Sequence, residues 1–541
     1  MKKSIKQKQK KKHAKAGVYE NAVRLLCVGS VTGVFAGGIV SLFNALVHYG
    51  EALARDGYSF VRERPAFIPL LIFVLLLGAF FISVGGKASA LIKGCGIPQA
   101  EGAARGVLRF KWYKDMTLMF ACCLVSIFMG GSIGAEGPSV FIGSAVGDGV
   151  SNTLRRNEMI RRYQITGGAC AGLAVASGAP LTGIVFAFEE AHKRFTPEVF
   201  ICAFSSVIFG MLTRRLIYGA LGLSLANAFG SYVFYEMPFE NYGYVLLAGI
   251  VCGLLGVLFY KCAFWVKKAF SKIRLKKSEW NDFVKIAIAC VFGGVVAFLA
   301  EDVIGGGHHL IESLGTHGGS EPSTEESLFS LPIVWSLVLV FALKFAVTTV
   351  NLGSGLPCGI FIPMIAIGAL LGGVLNAGWQ QMGMEAKYCD LMLMICLASF
   401  FATIVKAPLT AIIMICEFTG SFAPLLPVVM GVSIGYLIGD LFRTDGIYDE
   451  LLEVYEKENN VHAERVREVF TIRLAPRCIA DKREIRQILW PAGARVVEIR
   501  RGDEVILPEG DTVLHSGDIL SVVCKTNAPK LVKDELIHIA E

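Results

Sequence analysis

Gly134-Ala-Glu-Gly-Pro138 opens an apolar run whose next glycines are Gly143 and Gly147. The same frame returns as Gly359-Ile-Phe-Ile-Pro363 with Gly368 and Gly372, every position offset by 225. A second block follows in the same order. Ala179-Pro-Leu-Thr182 with Glu189 recurs as Ala407-Pro-Leu-Thr410 with Glu417, offset by 228. Two blocks in one order at nearly one offset point to two homologous halves. With an odd number of spans in each half, the halves insert with opposite topology and place a site at their interface.

Composition says what the halves are made of. The chain has 541 residues, 54% hydrophobic and only 18% charged, with a mean hydropathy of +0.56. A helix of about 20 apolar residues crosses a bilayer. Candidate spans run 22–48, 67–92, 116–133, 165–188, 199–224, 243–268, 284–304, 332–351, 360–377, 390–417 and 424–442. Lipid offers no partner for backbone groups, so these segments are expected as helices. That excludes a soluble enzyme for most of the chain. The 59 glycines cluster inside the apolar runs. They fit close helix packing, and they also fit helices interrupted at mid-membrane. The 15 cysteines lie mostly in apolar segments without metal-ligand or disulfide spacing. They read as small buried hydrophobes, and no metal or cofactor is expected.

The repeated block carries its own chemistry. A Gly-x-x-x-Pro turn leads into an apolar helix. Proline near a helix start costs no hydrogen bond, and glycine lets the backbone approach a neighbour closely. The first N–H groups have no internal partner and carry partial positive charge. Two such N-termini meeting at mid-membrane make an anion site without a full positive charge. Gly94-Cys-Gly-Ile-Pro98 is a third element of this kind.

Three glutamates fall inside this frame. Glu136 matches Phe361, so the repeat does not require a carboxylate there. A carboxylate beside anion-binding N–H groups competes with the anion, and protonation releases it. The alternative is a carboxylate that only caps its own helix. Glu189 recurs as Glu417 and reads as structural, whereas Glu190 matches Phe418 and is the candidate proton-handling group. The alternative for Glu190 is a solvated helix end. His308 and His309 follow a glycine run without a ligand cluster and read as an extramembrane loop. Gly85-Gly-Lys87 lacks the spacing of a phosphate loop.

The ends differ from the middle. Eight lysines within the first fifteen residues read as a cytoplasmic tail held inside by its charge and lying on anionic lipid. Nucleic-acid binding is not expected from so short a run. Residues 446–470 read as an exit helix and linker. Beyond them, period-two runs such as Ala494–Arg501 and Gly517–Cys524, separated by Gly-Asp turns, read as a small strand-rich domain. Asp481 to Leu489 reads as a helix. The division is thus a tail over 1–19, a transmembrane domain over 20–455, a linker over 456–469 and a regulatory domain over 470–541. The fold class is an all-α polytopic membrane protein with an inverted internal repeat, plus a small α/β C-terminal domain.

Residues 20–455 resemble the CLC chloride channel and transporter family. The resemblance rests on Gly94-Cys-Gly-Ile-Pro98, Gly134-Ala-Glu-Gly-Pro138, Gly359-Ile-Phe-Ile-Pro363 and Tyr448 within Gly-Ile-Tyr-Asp-Glu. It implies a homodimer in the cell membrane, both termini cytoplasmic, with one anion path per subunit. Glu136 becomes the external gate and Glu190 the internal proton-transfer group. Cys95, Gly96, Gly137, the backbone of Ile360, Phe361 and Ile362, and the Tyr448 hydroxyl line the anion path. Chloride and protons are the implied cargo, exchanged against one another. The alternative is a passive gated chloride channel regulated by the C-terminal domain. A potassium-transport regulator finds no filter sequence to support it. Two positions depart from the family pattern. Cys95 stands where serine is usual, and a thiol is a weak donor. Ala135 stands where arginine is common. Residues from about 470 onward resemble the TrkA-C domain, which implies a dimeric module that binds a small molecule or nucleotide, or one that only dimerises.

Overall fold

The computed structural model describes residues 2–155, 158–223, 229–275, 280–315, 333–459, 466–476, 478–502, 504–526 and 529–541. The first half consists of α1 (Lys2–Glu63), α2 (Ile68–Ala88), α3 (Ile97–Ala104), α4 (Trp112–Phe128), α5 (Glu136–Thr153), α6 (Glu158–Ser177), α7 (Pro180–Phe186) and α8 (Pro197–Leu221). The second half repeats the series as α9 (Tyr242–Ser271), α10 (Asn281–Leu299), α11 (His308–Leu314), α12 (Ile333–Ser354), α13 (Phe361–Gln381), α14 (Cys389–Val405), α15 (Pro408–Thr419) and α16 (Leu425–Leu441). Packing repeats with the order. In the first half α5 lies on α6, and α1 lies on α6 and α8. In the second, α13 lies on α14, and α9 lies on α14 and α16.

Among the described residues eight helical stretches are long and apolar enough to cross a membrane. Two of the expected spans are broken. Residues 165–188 form α6 and α7, and residues 390–417 form α14 and α15. The reason is the Ala-Pro pair in each. Proline clashes with a helical residue before it, and Ala179 and Ala407 accordingly leave the helix at ψ 88° and 73°. The residues before them turn left-handed, Gly178 at φ +75° and Lys406 at φ +65°.

Glu189 and Glu417 show how the halves meet. Oε1 of Glu189 accepts from the Leu409 N–H at 2.8 Å, and Oε2 accepts from the Thr410 N–H and hydroxyl at 2.6 Å each. Glu417 accepts from Leu181 N–H, Thr182 N–H and the Thr182 hydroxyl, all at 2.7 Å. Each carboxylate at the end of one helix therefore caps the start of the other. That pattern requires α7 and α15 to run antiparallel, so the two halves are inverted. Glu189 and Glu417 are structural, as the repeat predicts. Glu417→Ala strips three charge-assisted bonds from the start of α7, each worth about 1.5–3 kcal/mol. We expect a loss of about 3 kcal/mol or more, seen as a lower melting temperature in detergent. An unchanged melting temperature means solvent replaces the cap.

After α17 (Ile447–Glu458) the chain builds the small domain from β1 (Val466–Arg473), β2 (Ala494–Arg501), β3 (Glu504–Ile506), β4 (Ile519–Thr526) and α18 (Pro529–Ala540). The sheet is antiparallel in the order β1-β4-β2-β3. The helix expected over Asp481–Leu489 is replaced by a single 3₁₀ turn, Ile485–Gln487. Backbone groups there bond sideways instead of along a helix. Lys482 N–H donates to Leu514 O at 2.8 Å, Leu514 N–H to Arg483 O at 2.9 Å and Ile485 N–H to Thr512 O at 3.1 Å. Glu484 and Gln487 close the turn with a capping box.

Candidate functional site

Three helix starts converge. Gly96, Ala135 and Ile360 are the N-cap residues of α3, α5 and α13. Gly134 N–H donates to Gly359 O at 2.8 Å, and Cys358 N–H donates to Gly94 O at 3.1 Å. The two repeated turns are thus hydrogen-bonded to each other, and the third is tied beside them. Glycine is required at the closest points. Gly96 sits at φ +89°, and a Cβ on it would lie 2.6 Å from Gly137 O. A Cβ on Gly137 would collide with Cys95 O. In these first turns the N–H groups of Glu136, Gly137, Phe361 and Ile362 have no acceptor within their own helices.

The side chains named from the sequence gather on these elements. Glu136 begins α5 and is 1% exposed. Its Oε1 lies 3.5 Å from His308 Nε2, and its Oε2 has no hydrogen-bond partner among the described residues. Cys95 is buried immediately before α3, and the buried Tyr448 sits in the first turn of α17, which packs on α3. The Tyr448 hydroxyl is another buried atom without a partner among the described residues. Buried polar groups are rarely left so. Glu136, Glu190 and Tyr448 all carry such an atom. The Phe361 side chain is fully buried against Phe401, ring centres 4.8 Å apart, so that residue offers the site only its backbone.

Glu190 lies on a π-turn, Ala187–Ala191, that widens the end of α7. It is 5% exposed, and neither carboxylate oxygen makes a hydrogen bond among the described residues. Arg105 holds the turn through its backbone. Its Nη2 donates to Glu190 O and its Nε to Ala191 O, both at 2.8 Å. The same guanidinium pairs with Asp449 at 3.0 Å and Glu101 at 3.1 Å. One cation therefore ties α3, the π-turn and α17 together.

Sequence reasoning missed Arg105, Glu101 and Asp449. The available signal was the Glu101/Arg105 pair at i, i+4 directly after Gly94–Pro98. It also placed His308 in a loop, whereas the residue begins α11, 3.5 Å from Glu136. The repeat held the clue. Gly305 and Gly307 precede α11 as Gly94 and Gly96 precede α3, all four with positive φ. His309, the neighbouring residue, is exposed. Among the described residues no group of His, Cys, Asp and Glu is arranged to hold a metal ion.

Residues 469–536 match the model of the TrkA-C domain. The chain is 28% identical over 439 residues to the H(+)/Cl(-) exchange transporter ClcA of Vibrio cholerae, covering 79% of this chain and 89% of that protein. The protein of the same name in Yersinia pseudotuberculosis is 27% identical over 440 residues, covering 79% and 87%. Among solved structures, a slow cyanobacterial Cl-/H+ antiporter aligns with a TM-score of 0.70 at 22% identity, over 81% of this chain and 99% of that one. A CLC-type fluoride/proton antiporter aligns at 0.61 and 20%, over 78% and 96%. These structures share the fold. The model of the Voltage gated chloride channel family matches residues 76–440, two thirds of the chain, and with that match the multi-pass membrane protein described above belongs to the voltage gated chloride channel family.

Proposed function

We propose that the protein exchanges chloride for protons across the cell membrane. One observation carries the reading. The starts of α5 and α13 are bonded to each other, and the buried, half-unpartnered carboxylate of Glu136 sits on that junction. A carboxylate there occupies the place where the N–H groups of Gly137, Phe361 and Ile362 attract an anion. Protonation neutralises it and frees the path. Glu190 serves as the internal proton-transfer group, and its presence favours exchange over passive conduction. The names of the curated relatives point the same way.

The central anion leans on the Tyr448 hydroxyl and on backbone N–H groups at Gly96 and Ile360, because the Cys95 thiol is a weak donor. Ala135 stands where arginine is common in the family, so the gate lacks the guanidinium usual at that position and its local field is less positive. The protein works as a homodimer, its tail 1–19 and its C-terminal domain in the cytoplasm. That domain dimerises and takes a small-molecule or nucleotide ligand, or dimerises only.

A second reading, a passive channel governed by the C-terminal domain, draws on a specific contact. Arg162 of α6 donates to Trp490 O at 3.2 Å, pairs with Glu535 of α18 at 3.4 Å and donates to Ala104 O of α3 at 3.0 Å. Arg483 also pairs with Glu198 of α8. The C-terminal domain thus reaches the helix that follows Cys95.

The two readings separate in liposomes. With a chloride gradient imposed across the membrane and external pH followed, exchange drives protons against their own gradient. Chloride flux with no proton movement would sink the exchange reading and leave the channel.

A further inference from the structure

The turn before His308 is held from three sides. Gly305 N–H donates to Gly131 O at 3.0 Å, in the loop leading to α5. Gly306 N–H donates to Oε1 of Glu51 on α1, also at 3.0 Å. From α12, Lys344, which is completely buried, donates from Nζ to Val303 O and Gly305 O at 3.2 Å each. These anchors come from the halves on both sides of the site. They fix the backbone turn from which His308 projects.

That position bridges two environments. Nε2 of His308 is 3.5 Å from Oε1 of Glu136, yet the His308 side chain is 36% exposed and the Glu136 side chain 2%. The imidazole also lies beside the Phe229 ring, centres 6.2 Å apart and planes 33° from parallel. Glu136 therefore contacts a titratable group that is itself partly exposed. The other charged or titratable groups around this pair include Glu51, His48 and Arg55 on α1, Lys344 on α12, Asp302 before α11 and Arg214 on α8, with Cys123 on α4 and Tyr448 on α17 toward Glu136. None of them is paired with Glu136 within 4 Å among the described residues.

We propose that His308 carries protons between external water and Glu136. Water protonates the imidazole. The imidazolium then gives its Nε2 proton to Oε1 of Glu136, leaving a neutral imidazole and a neutral carboxylic acid. The acid no longer competes for the helix N-termini. Return of the proton along the same path re-closes the gate. An imidazole is suited to this step because its unperturbed pKa lies near 6.5, close to external pH. The proposal rests on Glu136 being the gate. It does not depend on whether protons are carried across, since protonation of Glu136 opens the path in either reading.

The test is chloride efflux from liposomes at external pH from about 5 to 8, the range in which an imidazole titrates. His308→Gln keeps a polar group near the Nε2 position but takes up no proton. We expect about tenfold slower flux and a flattened pH profile, with imidazole added outside restoring both. In a Glu136→Gln background, which needs no proton, adding His308→Gln is expected to leave chloride flux unchanged. An unaltered rate and profile in His308→Gln would overturn the proposal. So would a slower rate that is independent of pH and not rescued by imidazole, because that marks a structural role. A flux change in the Glu136→Gln background would place His308 on the anion path instead and overturn it equally. Chloride is the readout, so a parent that moves no protons ends the exchange reading and still leaves the pH profile to judge His308.

Discussion

Glu136→Gln is expected to keep chloride moving while proton movement falls by about 100-fold or more, the scale of losing a positioned proton-transfer group. Glutamine has the shape of the protonated acid and cannot release a proton. On the proposed role it therefore holds the gate in its released state. The fold is expected to survive the change. Glu136 is 1% exposed, its Oε2 finds no partner among the described residues, and a neutral amide costs less to bury than a carboxylate. The packing that shapes the site is done by glycine, at Gly96 and Gly137, and not by this side chain. The check is the liposome assay, chloride efflux and external pH read together. Normal proton pumping by this variant means Glu136 is not the gate. Loss of both fluxes in a folded protein means that the carboxylate builds the anion path instead of blocking it.

Glu190→Ala is expected to abolish proton movement and leave chloride flux within about threefold of the parent, a difference of under 1 kcal/mol in barrier. The structure makes this a clean substitution. Arg105 grips the π-turn through the carbonyls of Glu190 and Ala191, and alanine keeps both. The Glu190 carboxylate oxygens make no hydrogen bond among the described residues, and the nearby Thr410 hydroxyl is given to Glu189. What alanine removes is a buried proton acceptor. A variant that still drives protons uphill at the parent rate would remove Glu190 from the proton path. Combining Glu190→Ala with Glu136→Gln is expected to give no further loss of proton movement if, as proposed, the two groups act in series. Chloride flux in the double variant then follows Glu136→Gln alone.

Local and periodic features were legible in the amino-acid sequence. The repeat of Gly134–Pro138 at Gly359–Pro363 identifies two helix starts, because proline and glycine act within a few residues of themselves. The recurrence of Glu189 as Glu417 separates a structural carboxylate from Glu190. Both inferences compare positions along the chain: α5 and α13 begin at those turns, and the reciprocal caps on α7 and α15 match the structural reading of Glu189 and Glu417. The broken spans were legible in principle, since Ala-Pro at 179–180 and 407–408 forces each break.

Other features depend on what comes near in space. Hydropathy did not say which helices lie inside: the stretch 386–405 and the stretch 65–88 are both strongly apolar, at 2.0 and 2.8, yet 100% and 28% of their apolar windows are buried. Burial by protein and contact with lipid reward the same side chains. The segment Asp481–Leu489 carries a helical pattern, but its backbone finds partners in residues 510–514. Arg105 and Asp449 are 344 residues apart and meet at 3.0 Å. His308 followed glycines with no ligand cluster near it in sequence, and it touches Glu136 because Glu51, Lys344 and Gly131 hold its turn there. The inverted architecture and its paired helix starts follow from the order of residues, since short-range sterics write them. The surroundings of Glu136 follow from folding, since charges hundreds of residues apart become neighbours only when the two halves close on each other.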